Sequence, residues 1–86
     1  MAALCKLIAL MLRLPPEARV EDVAKLYRAF SWKEHTGGKH SAIFVSPDEK
    51  KTRAVPTKSG RMVKTMYLKL MVKDLELKEY YEQNCQ

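Results

Sequence analysis

Between Phe30 and Pro56 the apolar residues lose helical spacing and fall into short runs broken by turn residues. This change of period constrains the fold more than any other feature of the chain. The runs FSWKEHT and HSAIFVS flank Gly37-Gly38. A two-residue hairpin turn needs positive φ, which glycine adopts without a Cβ clash, so the pattern predicts a β-hairpin. SPDEKK is a second turn, with Pro47-Asp48 at its centre. TRAVPT reads as a third strand. Pro56 lacks the N–H that a ladder uses, which predicts an edge strand or a strand end there. The three runs together predict an antiparallel meander.

Helical spacing holds on either side. Leu4, Leu7, Ile8, Met11 and Leu12 share one helix face, and Pro15-Pro16 stop that helix. Val20, Val23, Ala24, Tyr27 and Phe30 share a second face, with Glu21 and Asp22 in its first turn, where the helix dipole favours negative charge. Val63, Met66, Tyr67, Leu70 and Met71 form a third stripe. KEYYEQNCQ reads as a polar, partly aromatic tail. Helices against one face of a three-stranded antiparallel sheet make a two-layer α+β domain. With 86 residues and no internal repeat or linker, one domain over 1–86 is expected. The N-terminal stretch is interrupted by Lys6 and Arg13 and lacks a small-residue cleavage site, so it reads as a packed helix and not as a signal peptide. It is also shorter than the ~20 apolar residues that span a bilayer, and no membrane association is expected.

Lys and Arg number 16 against 10 acidic residues, a net charge of +6, which suggests a polyanionic partner. The cations cluster. Lys50, Lys51, Arg53, Lys58, Arg61, Lys64, Lys69 and Lys73 follow one another with no acid between them. Lys69 and Lys73 read as a solvated helix face. Lys50, Lys51, Arg53, Lys58, Arg61 and Lys64, with Lys33 at the first hairpin, read as contacts to RNA phosphates, whose binding would weaken steeply with salt. Charge alone does not separate RNA from DNA, but an α+β domain with an open sheet and basic loops is a common way to hold RNA. Cys5 and Cys85 have neither CxxC nor metal-ligand spacing, so no metal site is expected. Two free thiols are the expectation, because cytosolic disulfides are rare, with a disulfide between them the alternative. There is no GxGxxG, P-loop or GxSxG, and no cofactor is expected.

His35 and His40 are the two histidines of the chain. If Gly37-Gly38 form the hairpin loop, Thr36 pairs with Lys39 and His35 with His40, on one face and about 4.5–5.5 Å apart at Cβ. RNA carries its own nucleophile, the 2′-hydroxyl. Cleavage without a metal needs a base for that proton, an acid for the departing 5′-oxygen and positive charge at the phosphate. Two imidazoles that titrate near neutrality and Lys39 match those roles. The plainer reading is a pair of exposed polar residues at strand ends.

The segments VEDVAKLYRAFSW, GGKH, SAIFV, SPDEKK, TRAVPTK and GRMVKTMYLKLMVKDLEL, in this order, resemble the HicA family of toxins. These are small messenger-RNA ribonucleases of bacterial toxin–antitoxin systems. The resemblance runs from Pro15 to about Tyr81. It implies a fold like a double-stranded-RNA-binding domain, α-β-β-β-α, over residues 18–81, with residues 1–14 an added N-terminal helix. It implies a cytoplasmic, metal-independent endoribonuclease that acts on mRNA and inhibits translation in a stress response. A HicB-like antitoxin protein would neutralise it, and DNA would not be its target by itself. The family's catalytic histidine maps to His40, with His35 and Lys39 as possible accessories. Lys39 stands where the family usually has serine. Aligning SPDE without a gap places Ser41, in place of His40, at the catalytic position, and both assignments stay open. The alternative function is an RNA-binding module of the same fold that does not cut.

Overall fold

The computed structural model describes residues 3–36, 41–58 and 61–85. Helix α1 (Ala3–Leu12) follows the predicted stripe, with Cys5, Ile8 and Met11 buried and Leu4, Leu7 and Leu12 partly so. After Pro15-Pro16 comes a strand that the sequence did not announce, β1 (Glu17–Arg19). It passes without a linker into α2 (Val20–Ala29), which buries Val23, Ala24, Leu26 and Tyr27. The end of α2 is a Schellman motif. The Ser31 N–H donates to the Arg28 carbonyl at 2.9 Å and the Trp32 N–H to the Tyr27 carbonyl at 3.0 Å. Ser31 holds the left-handed position, φ 68°, where glycine is usual.

The meander is present as β2 (Lys33–Thr36), β3 (Ser41–Val45) and β4 (Thr52–Pro56), paired antiparallel in the order β2-β3-β4. The strand ending at Pro56 is an edge, as its missing N–H requires. The first hairpin has another register than expected. His35 pairs with Ile43 and Thr36 with Ala42, so residues 37–41 lie between the last paired positions. His35 therefore does not pair with His40. The reason is packing. Trp32, Ala42 and Phe44 are all buried, and alternation puts Trp32 and Glu34 on one face. The two-residue turn would shift the pairing by an odd number and send Phe44 to the opposite face from Trp32.

Beyond β4 the chain forms β5 (Met62–Lys64), which pairs antiparallel with β1 as a two-stranded ribbon. It again runs straight into a helix, α3 (Thr65–Asp74). Val63 thus belongs to a strand, and the buried face of α3 carries Leu68 and Met71, while Met66 is 60% exposed. Glu76, at φ 50°, turns the chain into α4 (Leu77–Asn84), which replaces the expected tail and buries Leu77. Helix α4 packs beside α1, and this brings Cys5 and Cys85 together in a disulfide with a Cα–Cα distance of 5.6 Å. The expectation of two free thiols is overturned.

Helices α2 and α3 lie on the sheet face that carries Ala42, Phe44 and Val55. Tyr27 of α2 stacks on Phe44 with ring centroids 4.3 Å apart, and Asp74 of α3 bonds to Arg53 of β4. The protein is an α+β domain built on a three-stranded antiparallel sheet. Among the described residues no helix is long and apolar enough to cross a membrane.

A candidate nucleic-acid interface

Register and alternation divide the expected site residues by face. Lys33 and His35 stand on the outer sheet face, level with Val45 and Ile43 of β3 and with Thr52 and Ala54 of β4, and both are exposed. Arg53 stands on the inner face, level with Phe44. Its guanidinium bonds Asp74 through two nitrogens, Nε at 2.7 Å and the second at 2.9 Å. The Tyr27 hydroxyl donates to the same carboxylate at 3.0 Å. These bonds to Asp74 raise the Arg53 pKa, and burial first, then Asp74, push the Tyr27 phenol well above its ordinary value of 10. Arg53 therefore ties β4 to α3, with its charge matched by a carboxylate.

The strand directions divide the remaining cations by end. β3 runs from Ser41 to Val45, and its partners run the other way. Lys33, Lys50 and Lys51 gather at the Val45 end, beside the β3–β4 turn. That turn is held by Ser46, whose buried hydroxyl donates to Asp48 at 2.5 Å and accepts from the Lys51 N–H at 3.0 Å. The Ser46 hydroxyl, then the Lys50 N–H, keep the Asp48 carboxyl below its usual 3.8. The opposite end holds Thr36, Ser41 and Pro56, and beyond Pro56 come Lys58, Arg61 and Lys64. Five residues of strand separate the two ends, about 14–17 Å. Lys39 and His40 lie outside the described residues.

The ribbon of β1 and β5 adds a cation that sequence reasoning missed. Ala18 and Val63 fill its buried side, which leaves Glu17, Arg19, Met62 and Lys64 on the other. Lys58 bridges to Met62 and approaches Glu17 at 3.6 Å, and the Arg61 carbonyl accepts from the Val20 N–H at 2.7 Å. Arg19, Lys58, Arg61 and Lys64 thus form one exposed cluster faced by Glu17 and Glu21. Arg19 was hidden because a three-residue strand gives no periodic signal. Its pairing across half the chain is the only sign, and a single sequence does not display it.

Two grooves differ in charge. The larger, about 620 Å³, lies between β4, α3 and α4 and carries Lys51, Arg53, Lys73, Asp74, Glu76 and Glu79. Three carboxylates make it a poor seat for phosphate. The smaller, about 290 Å³, is lined by Pro56, Thr57, Lys58, Lys64, Met66 and Tyr67, with no acid. Among the described residues no three His, Cys, Asp or Glu side chains are placed so that they could hold a metal ion. Compared with models of known protein families, with curated proteins and with solved structures, the chain matches none.

Proposed function

We propose that this chain binds RNA and cleaves it without a metal, as a toxin of the HicA kind restrained by a HicB-like antitoxin. The observation that carries the binding half is the cluster of Arg19, Lys58, Arg61 and Lys64 at one end of the sheet, beyond the end of β4. The order α2-β2-β3-β4-α3 supports the likeness to a double-stranded-RNA-binding fold. Catalysis rests on the resemblance. His40 takes the proton of the 2′-hydroxyl, the 2′-oxygen bonds to phosphorus, the P–O5′ bond breaks, and the departing 5′-oxygen takes a proton from water. The products are a 2′,3′-cyclic phosphate and a 5′-hydroxyl. Lys39 and its cationic neighbours hold the phosphate. RNA as the target implies action in the cytoplasm, where Cys5–Cys85 stands against a reducing thiol pool.

The second reading, RNA binding without cleavage, is favoured by the hairpin register. The cross-strand partner of His35 is Ile43, so the partner expected to make a base–acid pair with it is not a histidine. One assay separates the readings: labelled single-stranded RNA is incubated with the protein in excess EDTA, beside His40→Ala and Ser41→Ala. Loss of cleavage in His40→Ala, by roughly 10²-fold or more, supports catalysis by that residue. Intact RNA with the parent protein, with or without magnesium, removes the nuclease reading and leaves binding.

A further inference from the structure

We infer that the acid-free groove between the end of β4 and the first turn of α3 seats one nucleotide of single-stranded RNA, its base against Tyr67 and its phosphates at Lys58 and Lys64. The inference rests on the RNA-binding reading and gives it a strand type and a seat.

Four observations carry it. The groove is lined by two lysines and by Tyr67 and Met66, with no carboxylate among its walls. Both lysines are exposed, and the Lys58 side chain keeps 63% of its surface accessible at its 3.6 Å approach to Glu17. Tyr67 is half-buried and packs against the core, so its ring is held in place as it lines the groove. Met66 is one of two large hydrophobic side chains that are exposed among the described residues, and it stands at the same wall. A fixed aromatic ring beside cations is the arrangement that binds unpaired nucleotides, because every base has a face to stack and every linkage a charge to neutralise. At about 290 Å³ the space is at the low end for a small-molecule site and admits one nucleotide, not a duplex. A base within a duplex has its faces covered by its neighbours and offers Tyr67 nothing to stack on.

The test measures binding of three labelled ligands of equal length: oligouridine, an abasic ribose-phosphate strand and an RNA duplex. For the parent protein, oligouridine should bind tighter than the abasic strand and the duplex. Tyr67→Ala should weaken oligouridine by roughly 5- to 150-fold, the range for one stacked base, and leave the abasic strand unchanged. Tyr67→Phe should bind as the parent does. Lys58→Gln with Lys64→Gln should flatten the salt dependence by about 0.7 for each phosphate no longer neutralised. If Tyr67→Ala does not fold, 4-thiouridine crosslinking to the parent decides, with Tyr67 or Met66 the expected adduct. Oligouridine binding that is unchanged in a folded Tyr67→Ala, or crosslinks confined to other elements, overturns the inference while RNA binding stands. A parent protein that binds none of the three at low salt overturns the RNA-binding reading and the inference with it.

Discussion

Ser31 shows how a residue can hold a structural position against its own preference. It closes α2 at φ 68°, where a side chain with Cβ costs about 1–2 kcal/mol. Ser31→Gly removes that clash and adds some unfolded-state entropy, for a net gain of about 0.5 kcal/mol. Thermal denaturation should show a rise of a few degrees. Asp74 works in the other direction. It receives Arg53 and Tyr27 together and its side chain is 8% exposed, so Asp74→Ala leaves a cation and a hydroxyl without their acceptor, at about 2–4 kcal/mol. Tyr27→Phe removes one hydrogen bond and should cost about 1 kcal/mol in urea titration. Asp48 gives a pH effect. Its folded-state pKa lies below the ordinary 3.8, so its contribution to the β3–β4 turn is present above that value and lost as pH falls through the lower one. The Lys50 amide resonance should follow this titration, and Asp48→Asn should abolish it. The turn at Pro47-Asp48 was legible in the sequence, because proline and aspartate carry their turn chemistry locally. The Arg53–Asp74 pair was not, since 21 positions separate its members; in the sequence Arg53 counted as one more free cation.

At the scale of elements, what was legible is what local spacing decides. Helices α1 and α2 and the end of β4 follow from apolar period and proline. The phase of α3 does not, because Val63 continues the helical spacing in sequence but lies in a strand, and a wheel that starts from it points Met66 inward. Nor does the hairpin register, where Gly37-Gly38 suggested the shortest turn and burial of Phe44 beside Trp32 decided otherwise. The candidate site shares this limit: the excess of cations was visible, and their division between two ends of the sheet was not. The register predicts unequal costs. His35→Thr, on the outer face, should change stability by no more than about 0.5 kcal/mol. Phe44→Ala, which removes the ring under Tyr27, should cost about 3–5 kcal/mol. Similar losses for the two substitutions, read from urea midpoints, would contradict the observed pairing.

For the whole molecule, the disulfide links α1 to the residue after α4 across a sequence separation of 80. Closing a loop of that size in the unfolded chain is worth about 4–5 kcal/mol in the entropy account, and removing such a bond usually costs about 2–5 kcal/mol. Cys5→Ser with Cys85→Ser should lower the thermal midpoint accordingly, and reductant should do the same to the parent. The cations at the two ends of the sheet should also respond separately. If RNA sits at the ribbon, Arg19→Gln with Arg61→Gln flattens the salt dependence of binding more than Lys50→Gln with Lys51→Gln does, as fluorescence anisotropy would show. The ribbon itself bears on how the chain finds its fold. β1 and β5 feed α2 and α3 with no residue between strand and helix, and their junction is sealed by Thr65 donating to the Pro15 carbonyl 50 positions away. That pairing is a long-range closure, while the meander between the helices assembles from neighbours. Contact order predicts different clocks for the two processes, with the hairpins early and the meeting of β1 with β5 slow. Val63→Ala should therefore slow refolding, where an equal loss of stability in α1 would mainly hasten unfolding.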